Sequence, residues 1–307
     1  MNTILITGGT GLVGKALTAL LLAKNYKVII LTRKMPQSNY NKNVTYAVWD
    51  IKENKIDIEA LQKADAIIHL AGAGVMDKKW DEAYKKEIVE SRTKSSELIV
   101  KALQENAHKV KTIVSASAIG WYGADKMDNH FFTENEPADA QFLGETCKAW
   151  EESISAASAI GVRVCKLRTG IVLSRLGGAY VEFRKTLQFG IASILGNGKQ
   201  IVSWIHIVDL CNQFIFALEN EKMEGSYNAV APTPESNKSL TLTIAKIMCP
   251  KFFIPTFVPT FILKLMLGER SVEILKSTRV SSKKIEDAGF KFNFPNAEEA
   301  VRDLEKN

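Results

Sequence analysis

Thr3-Ile4-Leu5-Ile6-Thr7-Gly8-Gly9-Thr10-Gly11-Leu12-Val13-Gly14 decides how this chain is read. The apolar run Thr3 to Ile6 predicts a strand buried on both faces of a parallel sheet. Gly8, Gly11 and Gly14 follow at the spacing G-x-x-G-x-x-G. Leu12, Val13, Ala16, Leu17, Leu20 and Leu21 then recur at helical period. Strand, glycine turn and helix in that order form the phosphate-cradling end of a dinucleotide fold. Gly8 allows the tight turn, Gly11 lets backbone approach a pyrophosphate, and Gly14 lets the helix pack on the strand. The helix N-terminus adds free N–H groups and a positive dipole end. Thr10, Leu12 and Val13 join the three glycines as expected cofactor contacts.

Outward from this turn, Lys27 to Thr32 predicts a second strand, ending in Thr32-Arg33-Lys34. An acidic residue at this strand end takes the ribose 2′-hydroxyl of NAD, whereas an Arg accommodates the 2′-phosphate of NADP. No Asp or Glu lies there, and a guanidinium fork suits a phosphate. The cofactor expected is therefore NADP(H). Val44 to Val48 reads as a third strand. Ala66 to Leu70 reads as a fourth, and its small-residue end Leu70-Ala71-Gly72 lets backbone meet the cofactor. His69, inside that apolar run, reads as a packed strand histidine. Arg92 falls mid-way along a helix from Asp81 to Leu103, under the expected crevice. Thr112 to Ile119 is strand five, with Ser115 and Ser117 on one side at its carboxyl end, where ligands bind in open parallel sheets. Trp121 and Tyr122 follow. Phe142 to Ala159 is a helix, and Val162 to Leu167 is strand six, ending at Arg168. The polar, acidic stretch 125–139 reads as a surface excursion.

Alternating strands and helices predict an α/β fold: a Rossmann-type doubly wound parallel sheet with a small, mostly helical C-terminal substrate-side region. A core domain spans 1–235, with substrate-side insertions from residue 174, and a small C-terminal domain spans 236–307. In the insertions, Gly196-Asn197-Gly198 reads as a hairpin-type turn. Trp204 and His206 fall on the substrate side, and Asp209 reads as a helix N-cap.

Bulk properties narrow the class. The 307 residues are 46% hydrophobic and 24% charged, an ordinary globular composition. The net charge of +6 comes from scattered lysines with no dense run, so no nucleic-acid partner is expected. Cys147, Cys165, Cys211 and Cys249 show no C-x-x-C pairing, and Met1-Asn2-Thr3 leads straight into the first strand. Reduced thiols, a cytoplasmic setting and no Cys-type metal site are expected. No apolar run is long enough to span a bilayer, so no membrane partner is expected. The apolar segment Phe252 to Leu267, broken by Pro255 and Pro259 and carrying Lys264, reads as core or interface of a C-terminal subdomain, with membrane contact as the alternative and a homodimer among the expected partners.

With these motifs in hand, the chain resembles the extended short-chain dehydrogenase/reductase superfamily. The resemblance rests on Thr7 to Gly14, Leu31-Thr32-Arg33, His69 to Gly72, Ser115 to Gly123, Leu167 to Gly170 and Ser203 to Leu210. It is similar to the atypical branch labelled NAD-dependent epimerase/dehydratase-like, whose members end in a small C-terminal domain of unknown role. The resemblance implies NADP(H) binding and a crevice between core and C-terminal region. It also implies a catalytic Tyr-x-x-x-Lys pair with a Ser or Thr from the strand-five end. Ser117 fits the serine and Lys148 the lysine, which also holds the nicotinamide ribose, but Gly144 stands where the Tyr belongs. Tyr122 is the replacement candidate for proton transfer. The resulting expectation is an NADP(H)-binding epimerase- or oxidoreductase-like protein for an unknown small-molecule substrate. The alternative is a non-catalytic NADP(H)-binding redox-sensing or regulatory protein.

Overall fold

The computed structural model describes residues 2–36, 41–125 and 130–306, so 126–129 of the polar excursion lie outside the described residues. In chain order the first half runs β1 (Thr3–Thr7), α1 (Leu12–Ala23), β2 (Lys27–Thr32), β3 (Val44–Asp50), β4 (Lys55–Ile56), α2 (Ile58–Lys63), β5 (Ala66–His69), α3 (Glu82–Glu105), β6 (Thr112–Ala118), α4 (Phe142–Ser155) and β7 (Arg163–Thr169). The second half runs β8 (Ile171–Leu173), α5 (Ala179–Leu187), β9 (Ile191–Leu195), β10 (Ile201–Val202), β11 (Trp204–His206), α6 (Ile207–Glu219), β12 (Gly225–Ala229), β13 (Glu235–Ser236), α7 (Asn237–Met248), β14 (Ile254–Val258), α8 (Thr260–Leu267), α9 (Ser271–Leu275), α10 (Lys283–Asp287) and α11 (Ala297–Glu305).

The main sheet has eight strands in the order β12-β7-β6-β5-β1-β2-β3-β4. Its pairings are parallel except at the β3–β4 edge. The strands alternate strictly between two cores, as the side-chain period of two requires. Ile4, Ile6, Ile30, Ile68 and Val114 face α1 and α6, meeting Leu17, Leu21, Leu210 and Phe214. Leu5, Ile29, Leu31, Ile67 and Ile113 face α2, α3 and α4, meeting Leu61, Leu98, Ile99 and Ile154. Covering both faces with helices gives the doubly wound Rossmann fold.

A third core mixes the inserted segments with the C-terminal helices: Leu173, Tyr180 and Trp204 pack with Leu240, Ile244, Val301 and Leu304. Here the structure differs from the sequence reading. The Gly196-Asn197-Gly198 turn makes no hairpin, because β9 pairs in parallel with β14 while β10 pairs with β13. The N-cap of α6 is His206, whose Nδ1 accepts from Val208 N at 3.2 Å. The Asp209 carboxylate instead accepts the Asn293 and Phe294 amides, each at 2.9 Å, and so ties the C-terminal tail to α6.

Candidate functional site: the carboxyl edge of the sheet

Strand order reverses at β1, which lies between β2 and β5, and ligands bind at that switch point in open α/β sheets. The glycine turn is built tightly there. Gly8 has φ +69°, and a Cβ on it would come within 2.9 Å of the Leu70 carbonyl. A Cβ on Gly14 would lie 2.3 Å from Gly8 O and 2.5 Å from Gly9 Cα. Gly11 is the N-cap of α1, so no side chain caps the helix, and no acidic residue occupies its first turn. By contrast, Asp57, Asp81, Ser236 and Asn296 cap their helices with side-chain oxygens. The N–H groups at the start of α1 are thus left for an external acceptor. Thr10 and Gly11 are exposed beside them, and Leu12 packs toward Gly177. These residues fit a pyrophosphate.

Thr32, Arg33 and Lys34 follow the end of β2. Thr32 Oγ1 donates to Lys34 O at 2.9 Å, closing the turn, and Arg33 is exposed with no ion pair among the described residues. On the other side of the switch, Thr7 Oγ1 accepts the Leu70 and Ala71 amides at 3.1 Å each, fixing the β5 end against the β1 end. With both lone pairs used, the Thr7 hydroxyl donates to His69 Nδ1 at 2.7 Å. His69 Nε2–H then donates to Ser96 Oγ at 3.1 Å, which fixes the tautomer. Arg92 backs this turn: its guanidinium carbon would lie 3.1 Å from a Gly72 Cβ, and it rests over the Trp150 ring.

His69 is fully buried, and burial, with Arg92 nearby, lowers its pKa from 6.5 to about 3. Acid sensitivity follows. Below pH 6.5 the unfolded chain gains a proton here that the folded chain refuses until about pH 3. Stability is therefore expected to fall on acidification by ~1.4 kcal/mol per pH unit in that window. Urea midpoints measured from neutral pH down through this range check it; a flat profile contradicts it.

The catalytic candidates from the sequence fall elsewhere. Ser117 is buried and donates to Glu151 Oε1 at 2.7 Å. Arg168, read as a cofactor contact, is buried too: Nε and Nη2 fork onto Glu151 at 2.8 and 3.1 Å, and Trp121 stacks on its guanidinium at 3.6 Å. Ser226 Oγ completes the Glu151 shell at 2.7 Å. Burial alone would raise the Glu151 carboxyl, but Arg168, Ser117 and Ser226 hold it below its usual range. Tyr122 does not project over the crevice. It is 1% exposed, donates to Asn228 Oδ1 at 2.7 Å and accepts from Arg168 at 3.0 Å. Burial pushes its pKa up to about 12 against the pull of Arg168, the wrong direction for a proton donor near neutrality. Ser115 is buried and bonded to the Ala116 carbonyl.

Lys148 lies on the outer face of α4, its side chain 60% exposed and paired with Glu152. The inward stripe is Leu143, Cys147, Trp150 and Ile154. Leu143 Cβ and Cys147 Sγ lie 3.3 and 3.5 Å from where a Gly120 Cβ would be, just past the end of β6. The pair four residues apart that faces the strand end is therefore Leu143 and Cys147, one residue before the positions read from sequence. Cys147 is buried, and burial raises its thiol to about 12 despite Arg92. No tyrosine fits at 144: a Cβ there would lie 2.1 Å from Asp139 O. The sequence signal was available, since 143, 147, 150 and 154 form a helical stripe while 145, 148 and 152 are charged.

Trp204 and His206 are core residues rather than pocket walls. Trp204 is fully buried with Nε1 donating to Thr233 O, and His206 is wedged against Phe294 with Nε2 3.5 Å from Asp303. A cavity of about 210 Å³ lies between Gly120, Leu143, Gly144, Asp139 and the C-terminal residues Glu273 and Lys276. Lys85–Glu269 at 2.7 Å and Arg270 Nη1 to Met76 O at 2.7 Å strap that wall to the core. Sequence reasoning missed Asp139, Glu273 and Lys276, because chain folding alone brings them to Gly120.

A doubly wound sheet with an uncapped glycine turn at its switch point defines a dinucleotide-fold protein of the short-chain dehydrogenase/reductase type. The chain belongs to the NAD-dependent epimerase/dehydratase family, whose model matches residues 4–230; residues 258–304 match a domain of unknown function. It is 34% identical to epimerase family protein SH2119 of Staphylococcus haemolyticus, over 99% of each chain. It is 32% identical to epimerase family protein YfhF of Bacillus subtilis, over 98% of this chain and 97% of that one. The crystal structure of human epimerase family protein SDR39U1 with NADPH superposes with a TM-score of 0.86 at 26% identity, covering 99% of each chain. No helix among the described residues is long and apolar enough to cross a membrane.

Proposed function

We propose that this chain binds NADP(H) across the carboxyl edge of its sheet and is an epimerase- or oxidoreductase-like protein for a small-molecule substrate, without the usual catalytic tyrosine. The observation that carries this reading is the uncapped N-terminus of α1 together with an exposed Arg33 that has no ion pair among the described residues. The amides at Leu12 and Val13 meet the pyrophosphate, Gly11 lets it approach the backbone, and Gly8 and Gly14 set the turn, which the Gly11 amide closes on Gly8 O at 3.0 Å. Arg33, with Thr32 and Lys34, takes the 2′-phosphate. Leu70, Ala71 and Gly72 form the wall toward β5. The solved neighbour with NADPH supports the same cofactor. When bound, the nicotinamide supplies or accepts the hydride.

The residues around the cavity supply less than the superfamily pattern does. Leu143 and Cys147 exclude water from the end of β6, and neither moves a proton near neutral pH. Asp139, Glu269, Glu273 and Lys276 are the ionisable groups that line the cavity, and Glu269 is tied up by Lys85. This apolar pair on α4 favours a second reading, a non-catalytic NADP(H)-binding redox-sensing or regulatory protein. Oxidation of NADPH in the presence of a panel of carbonyl compounds separates the two readings.

Arg33→Ala tests the cofactor assignment. NADPH affinity is expected to fall at least about tenfold with NADH affinity unchanged, the loss of one charge-assisted phosphate contact. An equal change for both dinucleotides overturns the role of Arg33.

A further inference from the structure

Helix α8, Thr-Phe-Ile-Leu-Lys-Leu-Met-Leu, buries only Leu263. Phe261 is 70%, Leu265 85% and Met266 66% exposed. Ile254 and Phe257 of β14, the strand before it, are 50% and 54% exposed on its two alternate faces, and Phe252 precedes that strand at 72% exposed. Ile254 pairs with Ile191 across the β14–β9 register, which brings the exposed Phe189 and Ile191 alongside. Phe261 and Leu265, one helical turn apart, and Met266 beside them leave α8 with an apolar face turned to solvent, of the kind that marks an interaction site.

Charge identifies the occupant. Between Glu235 and Glu269 the chain has no acidic residue, while Lys238, Lys246, Lys251 and Lys264 fall in that interval. Lys246, Lys251 and Lys264 are exposed and enter no ion pair among the described residues. A second copy laid on this face about a two-fold axis would oppose lysine to lysine, with no carboxylate in the 236–268 interval to meet them. Edge-to-edge strand pairing is also blocked, since Pro255 and Pro259 remove donors from the edge. Exposed phenylalanine and leucine next to unpaired lysines match an interface that is apolar below and anionic above.

We propose that α8 and β14 dock this protein peripherally on an anionic phospholipid surface, with Phe261, Leu265 and Met266 at the acyl boundary and Lys251 and Lys264 at the headgroup phosphates. The absence of a spanning run bears on crossing a bilayer and not on lying upon one, and this proposal takes up the membrane-contact alternative for Phe252 to Leu267.

Co-sedimentation of the full chain with vesicles tests the proposal. The chain is expected to pellet with phosphatidylcholine vesicles containing phosphatidylglycerol and to remain in solution with pure phosphatidylcholine. High salt should release it, since screening shortens the reach of the lysines. Leu265→Glu is expected to lower the bound fraction by about tenfold or more, for loss of apolar insertion. Its thermal midpoint should match that of the parent, because the side chain is already in solvent. Lys251→Glu combined with Lys264→Glu should abolish the preference for anionic vesicles. No binding to anionic vesicles, equal binding to both compositions, or indifference to Leu265→Glu each overturns the proposal. So does a dimer in sedimentation equilibrium that Leu265→Glu dissolves while vesicles fail to bind.

Discussion

Gly14→Ala is expected to destabilise the chain by at least ~3 kcal/mol, the upper range for overpacking a tight site. The added methyl would stand 2.3 Å from Gly8 O and 2.7 Å from Gly9 C, and both are backbone atoms of a turn already fixed on β5. Neither can swing away as a side-chain tip could. The turn must open, and the first-turn amides of α1 lose their convergence on the phosphates. The thermal midpoint should fall by on the order of 5 °C or more, with dinucleotide affinity falling alongside. Gly11→Ala is the informative contrast. Gly11 has φ −77°, and its Cβ would meet nothing nearer than Gly8 O at 3.3 Å. That variant is expected to keep its thermal midpoint and lose dinucleotide affinity, because the methyl occupies space needed by the pyrophosphate. If Gly14→Ala kept both properties, the close packing of α1 on the turn would be refuted.

Glu151→Gln is expected to cost ~3–5 kcal/mol, the range for removing one partner of a buried ion pair. The loss leaves the Arg168 guanidinium buried without a counter-charge, its remaining acceptors being neutral: the glutamine carbonyl, Tyr122 Oη and the Glu134 carbonyl. Glu151→Gln with Arg168→Met should recover part of that loss, since the stranded charge is gone. Sign follows from the direction of the shift. The Glu151 carboxyl is held below its usual value near 4.5, so its stabilisation is present above that pH. It is withdrawn as the pH falls through the lower folded value. Urea titration of the variants checks the energies, and NADPH affinity checks the role. A stable Glu151→Gln protein with weakened NADPH binding would instead return Arg168 to the cofactor, as the sequence alone suggested.

The contrast between these sites shows what a sequence makes visible. The glycine turn is a local device: its strand, its turn and its helix are consecutive, and every contact that demands glycine comes from within a few residues or from the adjacent strand. The alternation that divides Ile4 and Ile6 from Leu5 is likewise written in the chain at period two. Lys148 misled because residue type was weighed over helix face. The stripe through Leu143, Cys147 and Trp150 turns inward, and Lys148 therefore turns out to solvent. Arg168 and Glu151 are 17 residues apart, on β7 and α4, and their union depends on how the helix is laid over the strand. Trp204 and His206 look like pocket residues by type. They are core residues because the C-terminal segment, through Phe294 and Asp303, closes over them.

On the proposed function, the turn at Gly8, Gly11 and Gly14, with Arg33 after β2, holds a 2′-phosphorylated dinucleotide. Calorimetric titration of the unmodified protein with NADPH and then NADH tests it most directly. Saturable binding of NADPH at least about tenfold tighter than NADH is expected, the size of one charged phosphate contact. Equal affinities, or no saturable binding of either, would contradict it.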